Sequence, residues 1–156
     1  MEADQPKTPE RPITLFTIGF AKKSAREFFT RLKEAGVRCV VDVRLNNVSQ
    51  LAGFTKKPDL EYFLSEICGI GYIHRPELAP TKEILDAYRK KQIDWPEYER
   101  RFLALMRERR AEELVAREDM AGACLLCSEP KPQKCHRRLV VEYLQDCLGG
   151  MEIVHL

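Results

Sequence analysis

Long hydrophobic runs are the first thing this chain lacks. No apolar stretch approaches the roughly 20 residues a membrane helix needs. The opening MEADQPKTPERP is polar and proline-bearing where a secretory signal would be apolar. Both absences point to a soluble, cytoplasmic protein with no membrane partner. Net charge is scarce too: 26 basic against 24 acidic residues leave +2. No global field therefore draws the chain to nucleic acid, and any anion must be held by local clustering. Glycine-rich phosphate loops are also missing. The G-x-G at Gly69 to Gly71 lies between a helix and a strand without a third glycine, and no Walker A pattern occurs. A phosphatase loop would need arginine at 133 to serve Cys127, or at 130 to serve Cys124, so that a guanidinium faced the phosphoryl oxygens. The chain has Gln133 and Pro130 there.

What remains is a well-mixed globular composition, 44% hydrophobic and 32% charged over 156 residues, enough for one domain with its own core. Residues 1–12 are expected to be a disordered leader, and 13–156 a single domain. Six cysteines without a secretory signal read as reduced thiols and not as a disulfide framework.

Strands and helices alternate along that domain. ITLFTIG (13–19) is a short apolar, β-branched run that reads as a buried strand. Ser24 and Glu27 make a capping box for a helix carrying Phe28, Phe29 and Leu32 and stopping at Gly36. VRCVVDVR (37–44) has the continuous apolar character of a strand covered on both faces. Residues 45–57 lack periodicity and read as a long loop. Pro58 then opens a helix that closes at Gly69. GYIHR (71–75) gives a third strand, KEILDAYRKK and the stretch after Asp94 give helices, and AGACLLC (121–127) gives a fourth strand. A helix from Cys135 and a final strand MEIVHL complete the chain. The alternation predicts a three-layer α/β/α domain with a mainly parallel, Rossmann-like sheet of about five strands.

Such sheets bind ligands at the carboxyl ends of their strands. The polar residues collected there are Asp42 and Arg44 after the second strand, His74 and Arg75 after the third, and Cys127, Glu129, Cys135, His136 and Arg137 around the fourth. Cys124, Cys127, Cys135 and His136 also supply four soft ligands within a short span. Against zinc, there is one C-x-x-C, and Cys124 lies inside an apolar strand where a thiol is usually packing. No cofactor is expected, with zinc kept as an alternative.

FTIGF, VVDVR, GIGYIHRPELAP, WPEYERRF and LLCSEPKPQKCHRRLV together resemble the DUF488 family of bacterial and archaeal proteins. The last stretch is the most specific: a leucine-rich strand, then Cys127, Glu129, a short loop, Cys135, His136 and Arg137. Phe20 and Ala21 depart from the family's first turn, where tyrosine or histidine and then serine or glycine are common. The resemblance implies an α/β fold and a site at this hallmark, and it implies no reaction.

The chemistry therefore rests on the side chains. A cysteine at a helix start, Cys135, is favoured as a thiolate nucleophile, and the same place suits an anion cradle or a small buried side chain. His136 suits a proton carrier oriented by Glu129 or Asp42, or a ring bonded to a loop carbonyl. Asp42 and Arg44 suit substrate binding or a structural ion pair. Arg44, Arg75 and Arg137 would form an arginine mouth for a phosphate or carboxylate. Trp95 and Tyr98 beside arginines suit base stacking, but a solvated amphipathic helix with an ordinary core stripe is the favoured account of them. The expected function is an enzyme acting through this Cys/His/Glu/Arg pocket on a small anionic substrate, phosphate- or carboxylate-bearing, with a nucleotide as one candidate. The alternatives are a non-catalytic nucleotide or nucleic-acid-binding module and a zinc-stabilised interaction domain.

Overall fold

The computed structural model describes residues 11–47, 53–129 and 131–156. The leader expected over 1–12 lies mostly outside them, as does the middle of the 45–57 loop. Five strands form one sheet: β1 (Ile13–Gly19), β2 (Cys39–Asp42), β3 (Gly71–His74), β4 (Ala123–Cys127) and β5 (Met151–His155). Their order is β3-β2-β4-β1-β5, and every pairing is parallel. Connections between parallel neighbours must cross over the sheet, and helices make those crossings. They are α1 (Ala25–Ala35), α2 (Lys57–Phe63) with a π-helical extension to Cys68, α3 (Lys82–Arg89), α4 (Trp95–Arg109), α5 (Ala111–Leu114) and α6 (His136–Leu148). The single-domain α/β fold read from the sequence is the fold observed.

Local chemistry sets the helix ends. Ser24 Oγ accepts a hydrogen bond from Glu27 N at 3.1 Å, and Gly36 closes α1 in the left-handed region at φ 74°. Thr81 and Asp94 cap α3 and α4 in the same manner.

Side chains alternate across each strand. Leu15, Val41, Leu125 and Cys127 enter one core layer with Phe102 and Met106 of α4 and Leu139, Val140 and Leu144 of α6. Phe16, Ile18, Val40, Cys124 and Leu126 enter the other, with Phe28, Phe29 and Leu32 of α1, Leu60 and Leu64. Cys124 and Cys127 therefore lie on opposite faces of the sheet. The second strand is shorter than its apolar run, but Val43 N still donates to Leu126 O at 3.2 Å, which carries the ladder past Asp42. The register sets Gly19 beside Cys127, and Asp42 beside both His74 and Leu126. The polar strand ends thus share one edge of the sheet.

Candidate active site

Gly19 is the hinge of that edge. A Cβ there would fall 1.5 Å from the Glu129 carbonyl oxygen, so a side chain would displace the loop after β4. Phe20 N and Ala21 N donate to the carbonyls of Cys127 and Ser128 at 3.3 and 2.9 Å, and this zips the two strand ends together. Arg137, 1% exposed, donates from Nη1 to the Glu129 carbonyl and from Nε to Thr17 Oγ1 at 3.3 Å. Its charge is consumed as a brace between α6, β1 and the loop.

Cys127 ends β4, and Cys135 is the N-cap residue of α6, its N–H bonded to Pro132 O at 3.2 Å. The turn between them folds back so that Cys127, Cys135 and His136, all buried, present their ligand atoms within 4.8 Å of one another. Cys127 Sγ lies 3.5 Å from His136 Nδ1. His136 Nε2 donates to the Val43 carbonyl at 2.7 Å, because a carbonyl can only accept. The partner expected to orient His136 was Glu129 or Asp42. The observed one is the Val43 carbonyl, while Glu129 is exposed and Asp42 is engaged with Arg44.

The hydrogen bond from Cys135 holds the Cys127 thiol well below the usual thiol range, and His136 adds to it, against the effect of burial. Burial and the neighbouring Cys127 push Cys135 the other way. Burial opposes a charged His136, but the Cys127 thiolate and the Val43 carbonyl outweigh it and raise its pKa. The group poised as a thiolate is therefore Cys127, with Cys135 as its hydrogen-bond donor, where the helix-start position alone favours Cys135. Cys124, buried among apolar side chains, is pushed far up.

Above this cluster opens a cavity of about 530 Å³. Cys127, Cys135 and His136 line it together with Arg44, Glu129 and Lys134. One wall is aromatic: Trp95 stacks on Tyr98 at 5.0 Å and 20°, and Tyr88 meets Trp95 at 5.7 Å. Phe102 continues the ladder inward to His136, with ring centres 5.6 Å apart. Arg89 and Lys134, both exposed, bring positive charge to the rim.

Of the expected site residues, Arg44, Cys127, Glu129, Cys135 and His136 converge on the cavity. Asp42, His74, Arg75 and Arg137 are not in its lining. Asp42 is fully buried and grips Arg44 through paired bonds of 2.9 Å, and His74 Nε2 donates to the Arg44 carbonyl at 2.8 Å. These residues hold the loop that carries Arg44. The arginine mouth is thus replaced by Arg44 alone, joined by Arg89 and Lys134, which no motif marks. Arg44 keeps its Nη1 clear of hydrogen bonds among the described residues.

No curated protein and no solved structure matches the chain. A family model does, across residues 24–144, which takes in the ends of β2, β3 and β4 and the whole Cys127 to Arg137 hallmark. With most of its length matched, the chain belongs to the family described as domain of unknown function DUF488.

Proposed function

We propose that this protein is a cytoplasmic enzyme that acts on a small anionic, nucleotide-like substrate, with Cys127 as nucleophile and His136 as its proton partner. The observation that carries this reading is the Cys127 Sγ to His136 Nδ1 contact of 3.5 Å on the floor of a 530 Å³ cavity. A nucleophile within reach of a base that a third group orients is the recurring arrangement of covalent catalysis. Here the third group is the Val43 carbonyl. Cavities of about 300–1,000 Å³ suit small molecules. The Trp95 face offers a stacking surface for a planar group, and Arg44, Arg89 and Lys134 offer cations for a phosphate or carboxylate. In the step this geometry supports, sulfur bonds to an electrophilic centre of the substrate while its bond to the leaving group breaks. His136 Nδ1–H supplies the leaving group's proton; water then adds to the same centre as its bond to the Cys127 sulfur breaks, and the water's proton returns to His136 Nδ1.

Alkylation of chelator-treated protein with iodoacetamide at neutral pH, mapped by mass spectrometry, tests the reading. Cys127 is expected to react faster than the exposed Cys147, and AMP is expected to slow it. Complete labelling of Cys147 with Cys127 untouched would sink the nucleophile. AMP binding without that reactivity would leave a non-catalytic nucleotide-binding module.

A further inference from the structure

We infer that Cys127, Cys135 and His136 together bind one soft divalent metal ion of the zinc class, through two sulfurs and Nδ1, with a fourth position open to the cavity. This goes beyond the nucleophile reading, although the two share side chains. The three ligand atoms lie within 4.8 Å of one another. Zinc bonds of about 2.3 Å to sulfur and about 2.0–2.1 Å to nitrogen set neighbouring ligands of a tetrahedral site roughly 3.5–3.8 Å apart. The observed 3.5 Å between Cys127 Sγ and His136 Nδ1 has that length, and because the same sulfur lies 3.9 Å from Nε2 the ring has to turn on metal binding to aim Nδ1 at the ion.

The histidine is prepared in the way a metal ligand needs. Donation from Nε2 to Val43 O at 2.7 Å fixes the tautomer and leaves the lone pair on Nδ1, the ring nitrogen nearer the Cys127 sulfur. A backbone carbonyl behind a ligating imidazole is a common outer-shell partner. Charge also closes: two thiolates neutralise a dication beside a neutral imidazole, which suits a buried site. Thiolate ligands select zinc-like ions over magnesium or calcium. Cys124, which sequence proximity would make a fourth ligand, faces the opposite core layer with Phe16 and Leu126. Among the described residues the set therefore stops at three, and all three line the cavity. Three protein ligands and an open position are the form of a reactive metal site, where a closed structural site would have four.

The test uses the full chain, stripped with a chelator and titrated with cobalt(II), then with zinc against a chromophoric chelator. One equivalent is expected to bind, with thiolate-to-cobalt charge transfer and the intense visible bands of tetrahedral cobalt. Magnesium should not compete. Cys127→Ser and Cys135→Ser should each weaken binding by more than the roughly 10- to 100-fold typical of losing an outer-shell partner. Cys124→Ser should change neither stoichiometry nor spectrum. A readout without variants is alkylation of the wild-type chain, in which zinc should protect Cys127 and Cys135 while Cys147 still reacts. Failure of wild-type protein to compete with the chelator, or zinc that leaves Cys127 labelling unchanged, would overturn the site. Fast labelling of metal-free Cys127 without metal binding refutes this inference alone, and metal binding with an inert Cys127 refutes only the nucleophile.

Discussion

Asp42 and Arg44 meet side by side through two parallel hydrogen bonds of 2.9 Å, the carboxylate fully buried and the guanidinium 5% exposed at the cavity wall. The carboxylate also accepts from the Arg44 backbone N–H at 3.1 Å and from the Tyr72 hydroxyl at 2.6 Å, and Arg44 Nη2 donates to Thr55 O at 2.7 Å. A buried ion pair stabilises little in itself, but removing one partner strands the other's charge at about 3–5 kcal/mol. Asp42→Asn is expected to lower stability by that order in urea unfolding. A loss under about 1 kcal/mol would show that solvent reaches the pair as at a surface site.

The packing at Gly19 gives a sharper steric test. Alanine there collides with the Glu129 carbonyl, whereas at Gly71 the nearest atom to an added Cβ is Cys39 Sγ at 3.6 Å, an ordinary contact. Gly19→Ala should lower the melting temperature by several degrees, consistent with about 1–3 kcal/mol of overpacking. Gly71→Ala should cost less. Equal melting temperatures for the two variants would contradict the close approach of β1 and the loop after β4.

The layering of the fold is written in the sequence because β1, β2 and β4 are largely apolar runs and α1, α3 and α4 carry their own side-chain caps. Ser24 with Glu27, Gly36 and Asp94 announce helix ends through local chemistry alone. The edge bearing Asp42 and Cys127 follows from that layering. Which charges face the ligand is not local information. Arg137 is spent on the Glu129 carbonyl and Asp42 on Arg44, and these partners come from tertiary packing. Tyr88, Arg89 and Lys134 reach the cavity from α3 and the loop before α6, where their spacing matches any amphipathic helix or polar turn. The exchange of roles between Cys135 and Cys127 likewise depends on a thiol-to-thiol hydrogen bond that no spacing encodes.

Acid sensitivity should centre in part on α4. Glu97 accepts from Arg100 at 2.6 and 2.9 Å and from Arg101 at 2.9 Å, and these bonds pull its pKa down to about 2 from an ordinary 4.5. The folded pKa is below the unfolded one, so the stabilisation is complete above the unfolded value and is lost as pH falls towards the folded one. Thermal melts of wild type and Glu97→Gln between pH 7 and pH 2 should converge as acid is added. A gap that stays constant across that range would remove Glu97 from the acid response.

Trp95 reports on the cavity because it is the one tryptophan in the chain and lines the wall beside Tyr88 and Tyr98. AMP brings both a planar base and a phosphate, so its binding should quench tryptophan fluorescence. Stacking of a base on an aromatic side chain is worth about 1–3 kcal/mol. Trp95→Phe keeps a ring on Tyr98 and should bind AMP nearly as well, whereas Trp95→Ala should weaken binding by about tenfold or more, measured by calorimetry because the fluorophore is gone. Arg44→Lys keeps the charge but loses the fork that Asp42 holds, and should weaken AMP more than it weakens adenosine, which lacks the phosphate. Equal losses for the two ligands would place the phosphate away from Arg44, leaving Arg89 and Lys134 at the rim to hold it.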